Sequence, residues 1–338
     1  MLCRVSTLRH PASGVSVSTP LLIPSFSSKG LATSRSGKSE LSDLFRVASE
    51  ALTETYLISA YDVYYEHLPR PEALDRKPEL VFLDSGGYEV STDRDYSSVI
   101  DPLPRPEPWD LDRLNSVLDA WPEHLPVIVV SYDHPDERSA FPAQAENARR
   151  FFMGREEHLS LLLLKPETKA QRTLTKTIRS VVADVEALSP FDAIGVTEKE
   201  LGNSMLDRMA RIAELRLAMD AADVKAPLHI FGALDPLSVP LYYMAGAEIF
   251  DGLTWLRYGY DHGVCVYVQN LGVERYGLHL RDDVVRARAL NENYYALLEL
   301  QERLREFETT GCFEKLAPHG QLMRSARDSL KARLKGRL

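Results

Sequence analysis

Leu80-Val81-Phe82-Leu83-Asp84-Ser85-Gly86-Gly87-Tyr88-Glu89 is the stretch whose reading decides the architecture. Its four apolar residues have no polar interruption, as expected of a parallel strand covered on both faces. The run ends in an aspartate and a glycine pair, and paired glycines let a backbone turn tightly or pass close to a ligand. Apolar runs of similar length recur at Leu21–Phe26, Tyr56–Tyr61, Val127–Tyr132, Leu159–Leu164, Ala193–Val196, Leu228–Phe231 and Glu248–Phe250. With Leu80–Leu83 these are eight runs of strand length. Between them the apolar period turns helical, as in Glu40–Leu52, Leu111–Ala120, Gln144–Phe152, Lys169–Leu188 and Ser204–Ala222. Eight strands alternating with helices predict an α/β protein, a single (β/α)8 TIM barrel. An open doubly wound sheet would carry a GxGxxG turn after its first strand, and this chain has none.

A barrel of this kind needs about 250 residues, so the 338 residues hold one with insertions. The expected division is a barrel over 1–310 and a basic helical tail over 311–338. Leu290, Tyr294, Leu297, Leu300, Leu304 and Phe307 recur at near-helical spacing and predict an amphipathic helix over Val284–Phe307, closing the barrel wall. Thr92–Trp109 is rich in proline (Pro102, Pro104, Pro106, Pro108) and too long for an ordinary connection. It reads equally as a lid and as a passive excursion. The residues up to Lys38 include Arg4, Arg9, Lys29 and Arg35, no acid and many serines, a composition that imitates a transit peptide. The strand-like Leu21–Phe26 assigns this segment to the fold instead.

Apolar residues make up 44% of the chain, enough for a full core, yet no apolar run reaches the length that spans a bilayer. No membrane partner is expected. The net charge of -9 argues against a protein coated in basic surface but leaves room for a local basic patch. Arg324, Arg327, Lys331, Arg333, Lys335 and Arg337 face only Asp328 in the tail, which reads either as a guide for nucleic acid or as a solvated helix end. The three cysteines, Cys3, Cys265 and Cys312, are widely spaced with no CxxC pair. Neither a zinc knuckle nor a disulfide framework is readable, which suits a reducing cytoplasm.

Barrel enzymes carry their active sites where the strands end. The polar residues that follow the runs are Asp84 through Glu89, Asp133-His134, Lys165-Pro166-Glu167, Thr197 with Glu198, and Asp251-Gly252. One aspartate at a strand end is often a helix cap or turn former. Three of them, one followed by Ser-Gly-Gly, point to a shared mouth. Asp133-His134 has no third ligand in the sequence, so no metal is expected.

Asp84-Ser85-Gly86-Gly87-Tyr88 resembles the DSGG(F/Y) motif of the tRNA-guanine transglycosylases, the queuine tRNA-ribosyltransferase superfamily. Ser131-Tyr132-Asp133 resembles that family's S-F-D motif. Gly246-Ala247-Glu248-Ile249-Phe250-Asp251, with Arg257 six residues on, is similar to its G-x-D-x-F-D…R motif. Phe191-Asp192-Ala193-Ile194-Gly195 looks like the stretch entering its base pocket. Leu21-Leu22-Ile23-Pro24 with Lys29-Gly30-Leu31 looks like its opening strand and loop, and Ala289-Leu290-Asn291-Glu292-Asn293-Tyr294-Tyr295 like its closing helix. The resemblance runs in order from about residue 8 to about residue 310.

It implies a ping-pong exchange of guanine for a 7-deazaguanine-type base in a nucleic acid. Asp251 would attack the sugar C1′ and form a covalent glycosyl-enzyme, and Asp84 would act as general acid and base. Ser85, Gly86, Gly87, Tyr88, Asp133, Lys165 and Gly195 would form the base pocket. Asp133 would accept from the base's N1–H and amine, and Tyr88 would stack on the base. Arg257 would contact a flanking phosphate. No cofactor is implied, and the partners are a nucleic acid and a free guanine or 7-deazaguanine. A homodimer or partner protein is left open.

Two departures mark a divergent branch. The family's C-x-C-x-x-C zinc site should follow Arg257, where this chain has only Cys265, with His262 and His279 nearby. The family's Gln-Gly-Gly after the fifth strand is replaced by Lys165-Pro166-Glu167, and Glu89 stands where the family has glutamine. Without the zinc subdomain DNA is favoured over tRNA, as in the branch that inserts 7-deazaguanines into DNA. A non-catalytic partner subunit and a barrel N-glycoside hydrolase remain as alternatives.

Overall fold

Strands whose two faces are both apolar need cover on both sides, and all eight such runs meet that need in one parallel sheet. The computed structural model describes residues 2–30, 40–70, 73, 76–92, 96 and 105–335. Leu31, Arg35, Lys38, Pro102, Pro104 and Arg337, named above, lie outside the described residues, as does most of the proline-rich connection before residue 105. β1 (Thr7–Arg9) and β2 (Ser16–Ser18) form an antiparallel hairpin. The sheet is built from β3 (Leu21–Pro24), β4 (Thr55–Ser59), β5 (Leu80–Asp84), β6 (Val127–Val130), β7 (Leu159–Leu164), β8 (Ala193–Thr197), β9 (Leu228–Phe231) and β10 (Ile249–Gly252). Their order is β3-β10-β9-β8-β7-β6-β5-β4, with every neighbouring pair parallel. A parallel bridge between Ser25 and Leu57 brings β3 to β4, and the Phe26 N–H donates to the Leu57 carbonyl at 3.0 Å. The result is a nearly closed, TIM-like barrel.

Alternation along each strand divides the core in two. Leu21, Ile23, Phe82, Val130, Leu161 and Ile249 fill the barrel interior. Leu22, Val81, Leu83, Val129, Ile194 and Phe250 pack outward against the helices. Leu8 and Val17 of the hairpin join the inner layer. The hairpin directly precedes β3, so it stops the end at which the strands begin.

The helices around the barrel are α1 (Glu40–Ser49), α2 (Ala60–Tyr64), α3 (Gly87–Val90), α4 (Leu111–Asp119), α5 (Phe141–Phe152), α6 (Thr175–Ala183), α7 (Glu198–Leu201), α8 (Met205–Ala221), α9 (Ser238–Met244) and α10 (Thr254–Arg257). A hairpin of β11 (Gly259–Asp261) and β12 (Val264–Val266) leads to α11 (Val268–Tyr276), α12 (Asp282–Thr310) and α13 (Gly320–Arg333). The helix expected over Lys169–Leu188 is shorter than its sequence pattern. It starts at Thr175 and breaks at Asp184, whose φ of -144° is not helical, before a 3-10 turn over Val185–Leu188. Among the described residues no helix is long and apolar enough to cross a membrane.

The closing helix extends past both expected ends, and Gly311 stops it with a φ of 65°. Its inward stripe carries two amides among the apolar residues. Asn293 Nδ2 donates to the carbonyls of Trp255 and Tyr258, and its Oδ1 accepts from the Tyr260 N–H. Gln301 Oε1 accepts from the Leu22 N–H at 3.1 Å. These bonds satisfy backbone groups that β3 and the α10 turn leave open, and they fix α12 along the barrel wall. The tail helix α13 buries Met323 and Leu330 and turns its basic residues outward. Arg333 pairs with Asp207 of α8 at 3.1 Å.

One buried ion pair ties α8 to the start of β10. Arg216 and Glu248 are both fully buried, 3.1 Å apart. Arg216 also donates to the Ala226 carbonyl at 3.0 Å and to that of Gly246 at 3.3 Å. Burial pushes the Glu248 carboxyl up, and Arg216 pulls it back. Removing one member of such a pair strands the other charge. Arg216→Met is expected to lower the unfolding free energy in urea by about 3–5 kcal/mol, and a further Glu248→Gln change is expected to restore much of the loss.

Candidate functional site

The strands end around an open cavity of about 900 Å³. Asp84, Ser85, Gly87, Tyr88, Asp133, Lys165 and Asp251 line it, so most of the residues singled out from sequence meet at one mouth. Gly86, Gly195 and Arg257 are not among its lining residues. Gly86 starts α3 with a φ of 91°, and a Cβ there would lie 2.5 Å from the Trp109 indole nitrogen, which donates to the Ser85 carbonyl. A Cβ on Gly195 would lie 2.6 Å from the Phe231 ring, so this glycine makes room for a side chain of the cavity wall. Arg257 reaches the Tyr88 hydroxyl at 3.4 Å.

Asp251 stands in β10 and is 5% exposed. Its Oδ2 accepts from the Ser25 hydroxyl at 2.7 Å. Its Oδ1 lies 3.0 Å from His229 Nε2 and accepts from the Gly232 N–H at 3.3 Å. Three groups, one following β3 and two on or just after β9, therefore fix the orientation of the carboxylate.

Asp84 ends β5 in a different setting. Burial, then Asp251 and Asp133 across the mouth, push its carboxyl up to about 7, against the pull of Lys165 and the Ser85 N–H. A carboxyl poised there gives and takes a proton at neutral pH. Glu89, on the short helix that follows, is 6% exposed. Ser27 donates to one of its oxygens at 2.5 Å and Ser59 to the other at 2.7 Å. Burial, Asp62 and Asp84 raise it to about 8 despite these bonds.

Asp133 sits in a cationic cluster. Arg138 donates to its Oδ1, and Lys165 Nζ lies 3.5 Å from its Oδ2. Lys165 also donates to the Thr197 hydroxyl at 3.0 Å and approaches Glu200 at 3.4 Å. Burial works against the Lys165 charge, but Glu200 and Asp133 outweigh it and leave the ammonium above its ordinary value. A Cβ on Gly87 would come within 2.4 Å of the Asp133 carbonyl, so that position needs a glycine for close approach. Ser85 turns away from the cavity chemistry in part, its hydroxyl accepting from the Asp133 N–H at 3.2 Å.

Reading polar residues after apolar runs missed His229, Ser25, Arg138 and Glu200. His229 lies inside a run, where it reads as core. Ser25 lies within the run Leu21–Phe26, and Arg138 and Glu200 lie beyond the first residues after their strands. Among the described residues no group of three His, Cys, Asp or Glu side chains is placed to hold a metal ion. No family model matches the chain, and no curated protein matches it.

The raised carboxyls fix a sign for pH dependence. A carboxyl with a higher pKa folded than unfolded binds its proton more tightly in the native state. Stability then falls as pH rises from the ordinary carboxylate range through about 7 for Asp84 and about 8 for Glu89. The penalty is absent at acid pH and complete in mild alkali. Asp84→Asn is therefore expected to raise the unfolding free energy in mild alkali by about 1–3 kcal/mol and to change it little near pH ~4. Denaturant titrations of both proteins at the two pH values test this.

Proposed function

We propose that the chain is a transglycosylase that exchanges guanine for a 7-deazaguanine-type base in a nucleic acid. The observation that carries this reading is the meeting of two buried carboxyl groups, held in different settings, at one mouth. Asp251 is held by a hydroxyl, an imidazole and a backbone N–H, as a nucleophile needs. Asp84 is pushed up to about 7, as a proton carrier needs. Two carboxyls in such different settings can divide acid and nucleophile roles at a glycosidic bond.

In the first half-reaction an Asp251 oxygen bonds to C1′ of the target nucleotide. The C1′–N9 bond breaks, its electron pair leaves with the base, and Asp84 gives that base a proton. The free base departs. In the second half the incoming base gives its N9 proton to the Asp84 carboxylate and its nitrogen attacks C1′. Asp251 leaves with the ester electron pair, and both carboxyls return to their starting states. Asp133 accepts from the base's N1–H and amine, Lys165 faces its oxygen, and Tyr88 and Phe231 offer aromatic faces for stacking. Arg257, beside Tyr88, meets a flanking phosphate. DNA is favoured over tRNA, because Cys265 stands without companion thiols where the family's RNA-binding zinc site would be and is engaged instead with Asp235 at 2.8 Å.

The test is transfer of radiolabelled guanine into bulk tRNA and duplex DNA in parallel. Label is expected in one polymer with the native chain and in neither with Asp251→Asn, which also forms no covalent adduct. Asp84→Ala is expected to lose about 10²–10⁴ in turnover. Sugar release without incorporation of label would replace this reading by N-glycoside hydrolysis. Normal exchange by Asp251→Asn would refute the mechanism.

A further inference from the structure

His229 sits inside the barrel, fully buried, on the strand next to the one that carries Asp251. Its ring stacks on Phe231 with centroids 3.9 Å apart and meets the edge of Phe82 at 5.6 Å. Nε2 lies 3.0 Å from Asp251 Oδ1. Nδ1 is also buried and, among the described residues, has no hydrogen-bond partner.

These facts select one form of the ring. An imidazolium would leave an Nδ1–H donor unsatisfied between aromatic rings, an expensive state for a charged group. The neutral tautomer with hydrogen on Nδ1 would strand that same donor and also turn the Nε2 lone pair onto a carboxylate. The neutral tautomer with hydrogen on Nε2 gives Asp251 a hydrogen bond and leaves only an acceptor unpaired. The ionisable group it touches is Asp251 on β10, while its ring neighbours Phe82 and Phe231 carry no charge.

We infer that His229 is a positioning residue for Asp251: a neutral Nε2–H donor that orients the carboxylate without supplying a counter-charge. The role rests on the base-exchange reading, and it gives that reading a group that the motif resemblance does not contain. A full positive charge at 3.0 Å would stabilise the carboxylate and blunt its attack. A neutral donor fixes its rotation and leaves its basicity largely intact. With Ser25 on Oδ2 and His229 and Gly232 on Oδ1, the carboxylate keeps one orientation, and an ester at either oxygen leaves the other still held.

Two measurements on the full chain test this. The first is ¹⁵N NMR of histidine-labelled protein near neutral pH, with His229→Gln identifying the resonance. The Nε2–H tautomer is expected, and a doubly protonated ring or the Nδ1–H tautomer would overturn the proposal. The second compares His229→Phe, which keeps an aromatic ring without a donor, with His229→Gln, which keeps a donor. In guanine exchange with the accepted polymer, His229→Phe is expected to lose about 10- to 100-fold in kcat, the value of a hydrogen bond to a charged group. Its KM for the incoming base should stay within about threefold, because the lost contact serves the nucleophile and not the base pocket. His229→Gln should recover at least about tenfold of the loss. A phenylalanine variant as active as the native chain, or no recovery with glutamine, would reduce His229 to packing. Absence of exchange by the native chain would refute the base-exchange reading, and the tautomer would still be decided by the spectrum.

Discussion

Everything at the mouth depends on the seam where β3 meets β4. The strands on either side make only a short parallel contact there, from Ser25 to Leu57. That contact brings β5 and β10 around to face each other, and with them Asp84 and Asp251. The seam is also where the site is tied down. Ser25 donates to Asp251, while its carbonyl accepts from the Trp255 indole at 3.0 Å. Ser27 and Ser59, one from each side of the seam, hold the two oxygens of Glu89. The weakest joint of the barrel is thus reinforced by bonds to the carboxyl groups that any chemistry at the mouth would use.

Electrostatics at this mouth follow from burial more than from net charge. Asp84, Glu89, Asp133, Glu200 and Asp251 share the cavity wall with Arg138, Lys165 and Lys199. With Asp84 raised to about 7 and Glu89 to about 8, these two groups hold protons for much of the time at neutral pH. The remaining acids then face as many cations. A core built for stability alone would not bury carboxyls against one another, since each raised pKa weakens the fold in mild alkali. The cost is concentrated at the one place where proton transfer would be useful.

The fold was legible in the sequence because a parallel strand buried on both faces leaves a predominantly apolar run of strand length, and this chain has eight such runs in order. The hairpin over Thr7–Arg9 and Ser16–Ser18 left no such trace. Each of its strands buries only its middle residue, and the strands are three residues long. Asp84, Asp133 and Asp251 were legible because they end runs. His229 was not, because a lone histidine between Leu228 and Ile230 reads as part of a strand interior, and its partner lies 22 residues away. The turn at Gly86, with its φ of 91°, was legible from the glycine pair, but the rings that crowd Gly86 and Gly195 were not. At both, the space a side chain would occupy is filled by an aromatic ring, Trp109 in one case and Phe231 in the other.

The pair of Asp133 and Lys165 bears on which base such a pocket would accept. Guanine presents an oxygen, an N1–H and an amine along one edge, in the order acceptor, donor, donor. On the base-exchange reading Asp133 would supply oxygens for the two donors, and Lys165, 3.5 Å from its Oδ2, would supply a donor beside them. Adenine presents an amine next to an unprotonated N1. Against this pair its amine would meet the ammonium and its N1 lone pair would meet a carboxylate, leaving buried polar groups mismatched on both sides. Arg138 holds Asp133 in place, while Thr197 and Glu200 hold the ammonium. On the base-exchange reading, a lysine would read that oxygen by charge rather than by shape. Its cost is a second carboxylate, Glu200, needed to keep that charge in a buried wall.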